Sequence, residues 1–480
     1  MKYLFIMLEP IDLIKKSAVE IVELLQSGQV TPLELLNILE DRINDVDGQI
    51  NALPILCFDR ARICAESLTK IPVEERGPLG GLPVVIKDLT PVEDVRFTSG
   101  SILFENNIAL ESDILVKKIE TCGGIIYAKS NTPEFGAGGN TFNSVFGATL
   151  NPWDLTKSVA GSSGGSAAAL ASGTAWLAHG SDLGGSLRNP ASFCGIVGLR
   201  PSPGRVASGP KILPFQNLGV QGPMARNVAD TALFLDAMTG SSSREPLSLP
   251  ITENSFLKTS QERRKPSKVA FSSTLGFMPI DAEVKEIFLQ AALKFEDQGI
   301  IVEEAHPHLE KVIETFWILR SHLFAISMGE MARENPDKLK PELLENIRAG
   351  FKISNQELID AEIMRGQIYN AMVNFFEEFD LLLAPSTIVP PFPIEQRYVE
   401  NCAGTNFENY VEWLGISFPA TLGSCPAISL PAGTTHNGLP VGIQLIGPNQ
   451  SEGNLLSAAQ ILEDLIGKSP IPISPRKELI

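Results

Sequence analysis

Near the start of the chain, apolar residues recur at helical spacing, with Ala18, Ile21, Val22 and Leu25 on one face. Ser17 and Glu20 form a capping box ahead of that face, and Gly28 stands where a C-terminal cap belongs. Thr31, Pro32 and Glu34 repeat the start signal, with proline at the first helical position and Leu35, Ile38 and Leu39 turned inward. The pattern predicts two helices packed together as a cover.

From Leu82 the period changes. Val84-Val85-Ile86 reads as a strand, residues 114–122 as a helix and 124–128 as another strand, which is α/β alternation. Residues 151–157 read as loop. Residues 164–173 are almost all Gly, Ala and Ser, predicting a central buried helix that approaches its neighbours closely. Residues 241–267, rich in Ser, Pro, Glu, Lys and Arg, predict a loop at a subdomain edge. A strand at 269–271, a helix over 282–296 and a strand at 300–302 come next, and helical sequence runs on to about residue 378. Segments 380–385 and 427–430 read as buried strands returning to the main sheet.

Composition sets limits on partners. The 480 residues are 44% hydrophobic and 20% charged, which excludes disorder and supplies a large core. Acidic residues outnumber basic ones 56 to 39, for a net charge of −17 without long charged runs, so nucleic-acid backbones and anionic membranes are disfavoured and a small neutral substrate is expected. The six cysteines, at 57, 64, 122, 194, 402 and 425, show no CxxC spacing and fit a reducing compartment. The apolar opening run, residues 1–8, is cut short by Glu9, Pro10 and Asp12, so export is not expected. No apolar stretch reaches the ~18 residues that span a bilayer. A soluble cytoplasmic protein is the expectation.

Three segments place reactive side chains beside glycine or at a strand end: 81–88 (GLPVVIKD), 161–166 (GSSGGS) and 180–188 (GSDLGGSLR). Gly161-x-Ser163-x-Gly165 also fits the nucleophile elbow of α/β-hydrolases, but the preceding residues read as loop where a strand is needed. His179, His306, His308, His322 and His436 offer no convincing partner, and His436 reads as part of a hairpin turn. A phosphate loop and a His-Glu-x-x-His helix are both absent, so no nucleotide, cofactor or metal is expected.

In this order the three segments resemble the amidase signature family, marked by a strand-end lysine, a Gly-Ser-Ser-Gly-Gly-Ser stretch and an Asp-x-Gly-Gly-Ser-x-Arg stretch. The similarity continues through residues 190–201 and 438–444 and is weakest between about 241 and 380. The resemblance implies one amidase domain over 1–480: a large, mixed, mostly parallel central sheet covered by helices on both faces. Residues 1–50 would be its helical cover and 241–380 a variable, substrate-shaping region. By position, Ser186 becomes the nucleophile, Ser162 the bridging serine and Lys87 the base. Leu183, Gly184, Gly185 and Ser186 would donate backbone N–H groups to an oxyanion, Asp182 and Arg188 would brace the loop, and Gly136 would line the substrate site. Ala160 and Leu183 depart from the family's usual glycine and hydroxyl residue without removing a catalytic side chain.

A lysine can act as base only when neutral, so Lys87 must be desolvated, which the apolar run 84–86 suits. The expected reaction is hydrolysis of a small neutral or aryl amide, with esters, anilides or carbamates as side substrates, by a monomer or homodimer. One alternative is the glutaminase subunit of a tRNA-dependent amidotransferase, although the acidic charge argues against direct tRNA contact. Another is an inactive scaffold, disfavoured because all three proposed catalytic side chains are present. Phe316, Trp317 and Trp413 are candidate pocket walls that fit a core role equally well.

Overall fold

Consecutive apolar residues with no polar alternation describe strands covered on both faces, and the computed structural model, which describes residues 10–476, places several such runs in its main sheet. The eleven strands are β1 (Ile55–Leu56), β2 (Pro83–Lys87), β3 (Ile125–Ser130), β4 (Leu177–Asp182), β5 (Val197–Arg200), β6 (Val220–Ala225), β7 (Lys268–Phe271), β8 (Ile301–Glu304), β9 (Leu381–Pro385), β10 (Ala427–Thr434) and β11 (Pro440–Ile446). They lie in the order β1-β3-β2-β4-β6-β5-β10-β11-β9-β7-β8. β2, β9 and β11 are buried at every position.

The sheet is mixed, as expected, but not mostly parallel. Six of its ten strand contacts are antiparallel, and the parallel ones join β3-β2-β4 on one side and β9-β7-β8 on the other. Burial on both faces gives the same apolar run in either direction, so the pattern carried no information about polarity. The β10–β11 hairpin shows the antiparallel centre at its simplest: its connection includes His436 and turns at Gly438, φ +74°.

Local signals were the most legible. Ser17 with Glu20 and Thr31 with Glu34 form complete capping boxes on helices Ala18–Gln26 and Pro32–Ile50. Buried residues of both helices join the main core. Two expected loops contain structure. Residues 150–158 hold a short hairpin, and residues 241–267 hold helix Phe256–Glu262, capped by Ser255 and anchored by Asp236, which accepts from the Phe256 and Leu257 N–H groups. The opening run 1–8 lies outside the described residues. Among those described, no helix is long and apolar enough to cross a membrane.

Candidate active site

Two parallel strands set up the site. β2 pairs with β4 through Val84–Leu177 and Val85–Ala178, so Lys87 at the end of β2 emerges beside the end of β4, where Ser181 and Asp182 sit. The third element is helix Gly164–Ser172, every residue of which is buried. A Cβ on Gly165 would lie 2.4 Å from Asn131 N, so only glycine admits this approach to the segment after β3. Ser166 Oγ donates to His179 O at 2.8 Å, tying the helix start to β4 and holding Ser162 and Ser163 over Lys87.

Lys87 Nζ lies 2.7 Å from Ser162 Oγ, 2.9 Å from Ser163 Oγ and 3.1 Å from Ser181 Oγ. The side chain is 0% exposed. Burial pulls the ammonium down to about 7, against a smaller upward pull from Asp182. The three hydroxyls can accept from the three N–H groups of the ammonium, and in the neutral amine, with two N–H groups and one lone pair, one of them can donate instead. Ser163 was weighed from sequence only as the serine of a rejected nucleophile elbow and Ser181 was not singled out, although both stand inside the quoted motifs.

Asp182 organises the loop after β4. Its carboxylate accepts from Gly185 N at 3.0 Å, from Leu187 N at 3.1 Å, and from Arg188 and Arg200 at 3.1–3.2 Å. Burial opposes this charge, but Arg188 and Arg200 outweigh it and hold the carboxyl well below the usual range. Arg188 also reaches Gln444 Oε1 at 2.8 Å and Ser417 O at 3.0 Å, linking the loop to β11. Arg200 is thus a third member of the expected Asp182–Arg188 pair; nothing near it in sequence signals this.

Of the four amides expected to face an oxyanion, Gly185 N–H is turned to Asp182. Leu183, Gly184 and Ser186 N–H make no hydrogen bond among the described residues. Gly185 has φ +98°, and a Cβ there would lie 2.5 Å from Ser417 Oγ, so the turn needs glycine.

Ser162, Ser186, Leu183 and Gly136 line one cavity of about 250 Å³. Gly136 has φ +69°, and a Cβ there would come within 3.5 Å of Ser162 Oγ. The aromatic lining is Phe135 and Phe324. Phe316 is buried against Phe418 with ring centroids 3.7 Å apart, Trp413 belongs to the core, and Trp317 packs beside Phe316's cluster, so none of the three walls the cavity.

The histidines stand elsewhere in the chemistry. His179 Nδ1 accepts from the Lys87 backbone N–H at 3.3 Å, so Nε2 carries the proton and donates to Gln221 Oε1 at 2.8 Å. Burial pushes its imidazole down to about 3, keeping it neutral. His306 and His308 line a separate surface cavity, and His436 contacts Glu283. No histidine ring hydrogen-bonds a serine among the described residues.

The Amidase family model matches residues 34–456. An acylamidase of Rhodococcus erythropolis is 34% identical over 454 residues, covering 93% of this chain and 94% of that protein. One of the subunits of the glutamyl-tRNA(Gln) amidotransferase from Sulfurihydrogenibium sp. (strain YO3AOP1) is 30% identical over 483 residues, covering 95% and 98%. The crystal structure of a bacterial aryl acylamidase of the amidase signature enzymes matches with a TM-score of 0.88 at 27% identity, covering 94% and 96% of the two chains. Sequence and fold agree over nearly the whole length, and the chain belongs to the amidase signature family of amide-hydrolysing enzymes.

Proposed function

We propose that the protein hydrolyses a small or aryl carboxylic amide through an acyl-enzyme on Ser186, with Ser162 relaying protons to Lys87. The observation that carries this reading is the enclosed Lys87 amine, 2.7 Å from Ser162 Oγ and held at about 7. Neutral Lys87 takes the Ser162 proton while Ser162 takes that of Ser186, whose oxygen attacks the amide carbon. The oxyanion forms beside the Leu183, Gly184 and Ser186 N–H groups, where one donor is worth ~3 kcal/mol. Reversal of the relay protonates the leaving nitrogen and breaks the C–N bond. Water then repeats the attack and releases the acid and Ser186. The acyl step uses no feature peculiar to nitrogen, so esters, anilides and carbamates are side substrates.

The cavity of about 250 Å³ sits below the usual range for drug-sized ligands, which supports a small substrate. An adjoining groove of about 530 Å³ shares Leu89, Ser208, Lys211 and Gln221 with it and offers room for one arm of the amide.

A glutaminase subunit is the second reading, favoured by the amidotransferase relative, which aligns over 95% of this chain. The acylamidase relative is more similar, at 34% against 30% identity, which supports the free-standing amidase. Assaying the purified chain with glutamine and with a panel of aryl amides separates the two. Aryl amide turnover is expected, and turnover restricted to glutamine would overturn the proposal.

A further inference from the structure

Helix Val312–Glu334 carries Phe316, Arg320 and Phe324 at four-residue spacing, so the three share one face. Phe316 lies against the loop after β4, where a Cβ on Gly184 would be 2.9 Å from its ring, and one and two turns on, Arg320 and Phe324 line the cavity holding Ser162 and Ser186. Arg320 is 6% exposed. Its Nε donates to Asn346 Oδ1 and its Nη2 to Tyr410 Oη, both at 2.9 Å, and the guanidinium carbon lies 4.1 Å from the Phe324 ring centroid.

Among the described residues no carboxylate lies within 4.0 Å of this guanidinium. Nη1 makes no hydrogen bond among the described residues and is not sealed from solvent, and Arg320 lines the cavity. Other buried arginines are held differently. Arg188 and Arg200 meet Asp182, Arg205 meets Glu452, and Arg226 is held by the carbonyls of Ile14 and Lys16. Of the cavity's remaining charges, Lys211 is paired with Glu245 at 2.8 Å and Asp182 is enclosed by its arginines. A guanidinium stays charged at any working pH, a buried charge is normally paired, and its planar fork matches a carboxylate.

We infer that Arg320 receives a carboxylate carried by the substrate, so that the preferred substrates are amides with an anionic group on the acyl or the amine side. This rests on the seryl amidase reading and amends the neutral substrate suggested by the overall acidic charge: the local charge at the cavity decides, not the sum over the chain.

Two matched pairs test it and locate the anion. Succinanilate against valeranilide places the carboxylate on the acyl side, and 4-butyramidobenzoate against 4-ethylbutyranilide places it on the amine side. At least one charged member is expected to be preferred about tenfold in kcat/KM, and Arg320→Met to reduce that ratio to below about twofold. Calorimetric binding of succinate against butyrate by the unmodified protein needs neither turnover nor a variant. Both offer one carboxylate to the oxyanion site, so about tenfold tighter succinate binding reports a second anion site. Ratios near one in both hydrolytic pairs and in binding, or a preference that Arg320→Met leaves intact, would overturn the inference. If the anilides are untouched but succinate binds tightly, the hydrolase reading falls and the anion site stands. If they are hydrolysed without preference and succinate binds like butyrate, the reverse holds.

Discussion

Replacing Lys87 by methionine tests the enclosed amine through stability, independently of any substrate. The folded protein holds Lys87 at about 7 because it is fully buried. In the unfolded chain it titrates near ~10.4. Between those values the unfolded state binds more protons, so stability rises with pH across that window and the contribution is complete only above ~10.4. Below pH 7 the buried ammonium costs the wild type about 4–5 kcal/mol, and between pH 6.5 and 9 it recovers about 2–3 kcal/mol of this. Lys87→Met keeps an unbranched stem and cannot titrate. It also deprives Ser162, Ser163 and Ser181 of a partner, which costs ~1–3 kcal/mol but does not change with pH. The pH dependence of the difference therefore isolates the amine. For a chain of 480 residues 1 kcal/mol moves Tm by on the order of 1 °C. Melting curves of both proteins at pH 6.5 and pH 9 should show the wild type gaining about 2–3 °C on the variant at the higher pH. A Tm difference that does not change with pH would refute the argument, because Lys87 would then be titrating as an ordinary solvated lysine.

Other consequences arise from the same geometry. kcat/KM should rise with an apparent pKa of about 7 as the neutral fraction of Lys87 grows from about 10% at pH 6 to about 90% at pH 8, and a flat profile would count against the base. Gly185→Ala forces a Cβ to 2.5 Å from Ser417 Oγ at φ +98°, and kcat should fall about 10²-fold or more in steady-state assays. Asp182→Asn leaves Arg188 and Arg200 facing a neutral amide. Chemical denaturation should show a loss of ~3–5 kcal/mol, whereas wild-type stability would mean the arginines are satisfied without the carboxylate.

How much of the structure was legible in the sequence depends on the range of the forces involved. Both capping boxes, the strand that ends at Lys87 and the small-residue helix after Ser163 were legible because each depends on neighbours in the chain. The helix Phe256–Glu262 was hidden by a polar composition and is held by Asp236, about twenty residues away. Strand direction was not legible, since a doubly buried run is apolar either way. At the site, Lys87, Ser162, Ser186 and Gly136 could be named from motifs. The roles of Arg200 and Gln444 around Asp182 and Arg188 could not, because those contacts join segments 18 and 256 residues apart. His179 looked like an idle histidine and instead receives the Lys87 backbone N–H. Arg320 lay in the region of weakest resemblance, where only the packing of its helix against the loop after β4 brings it to the cavity.

The identity of the nucleophile is the centre of the account, and a serine-directed fluorophosphonate with peptide mapping addresses it most directly. Activity should be lost in step with one label per chain on the peptide containing Ser186, and Ser186→Ala should take up no label while keeping the wild-type fold. A label on Ser162 or Ser163, or inactivation with Ser186 unmodified, would contradict it.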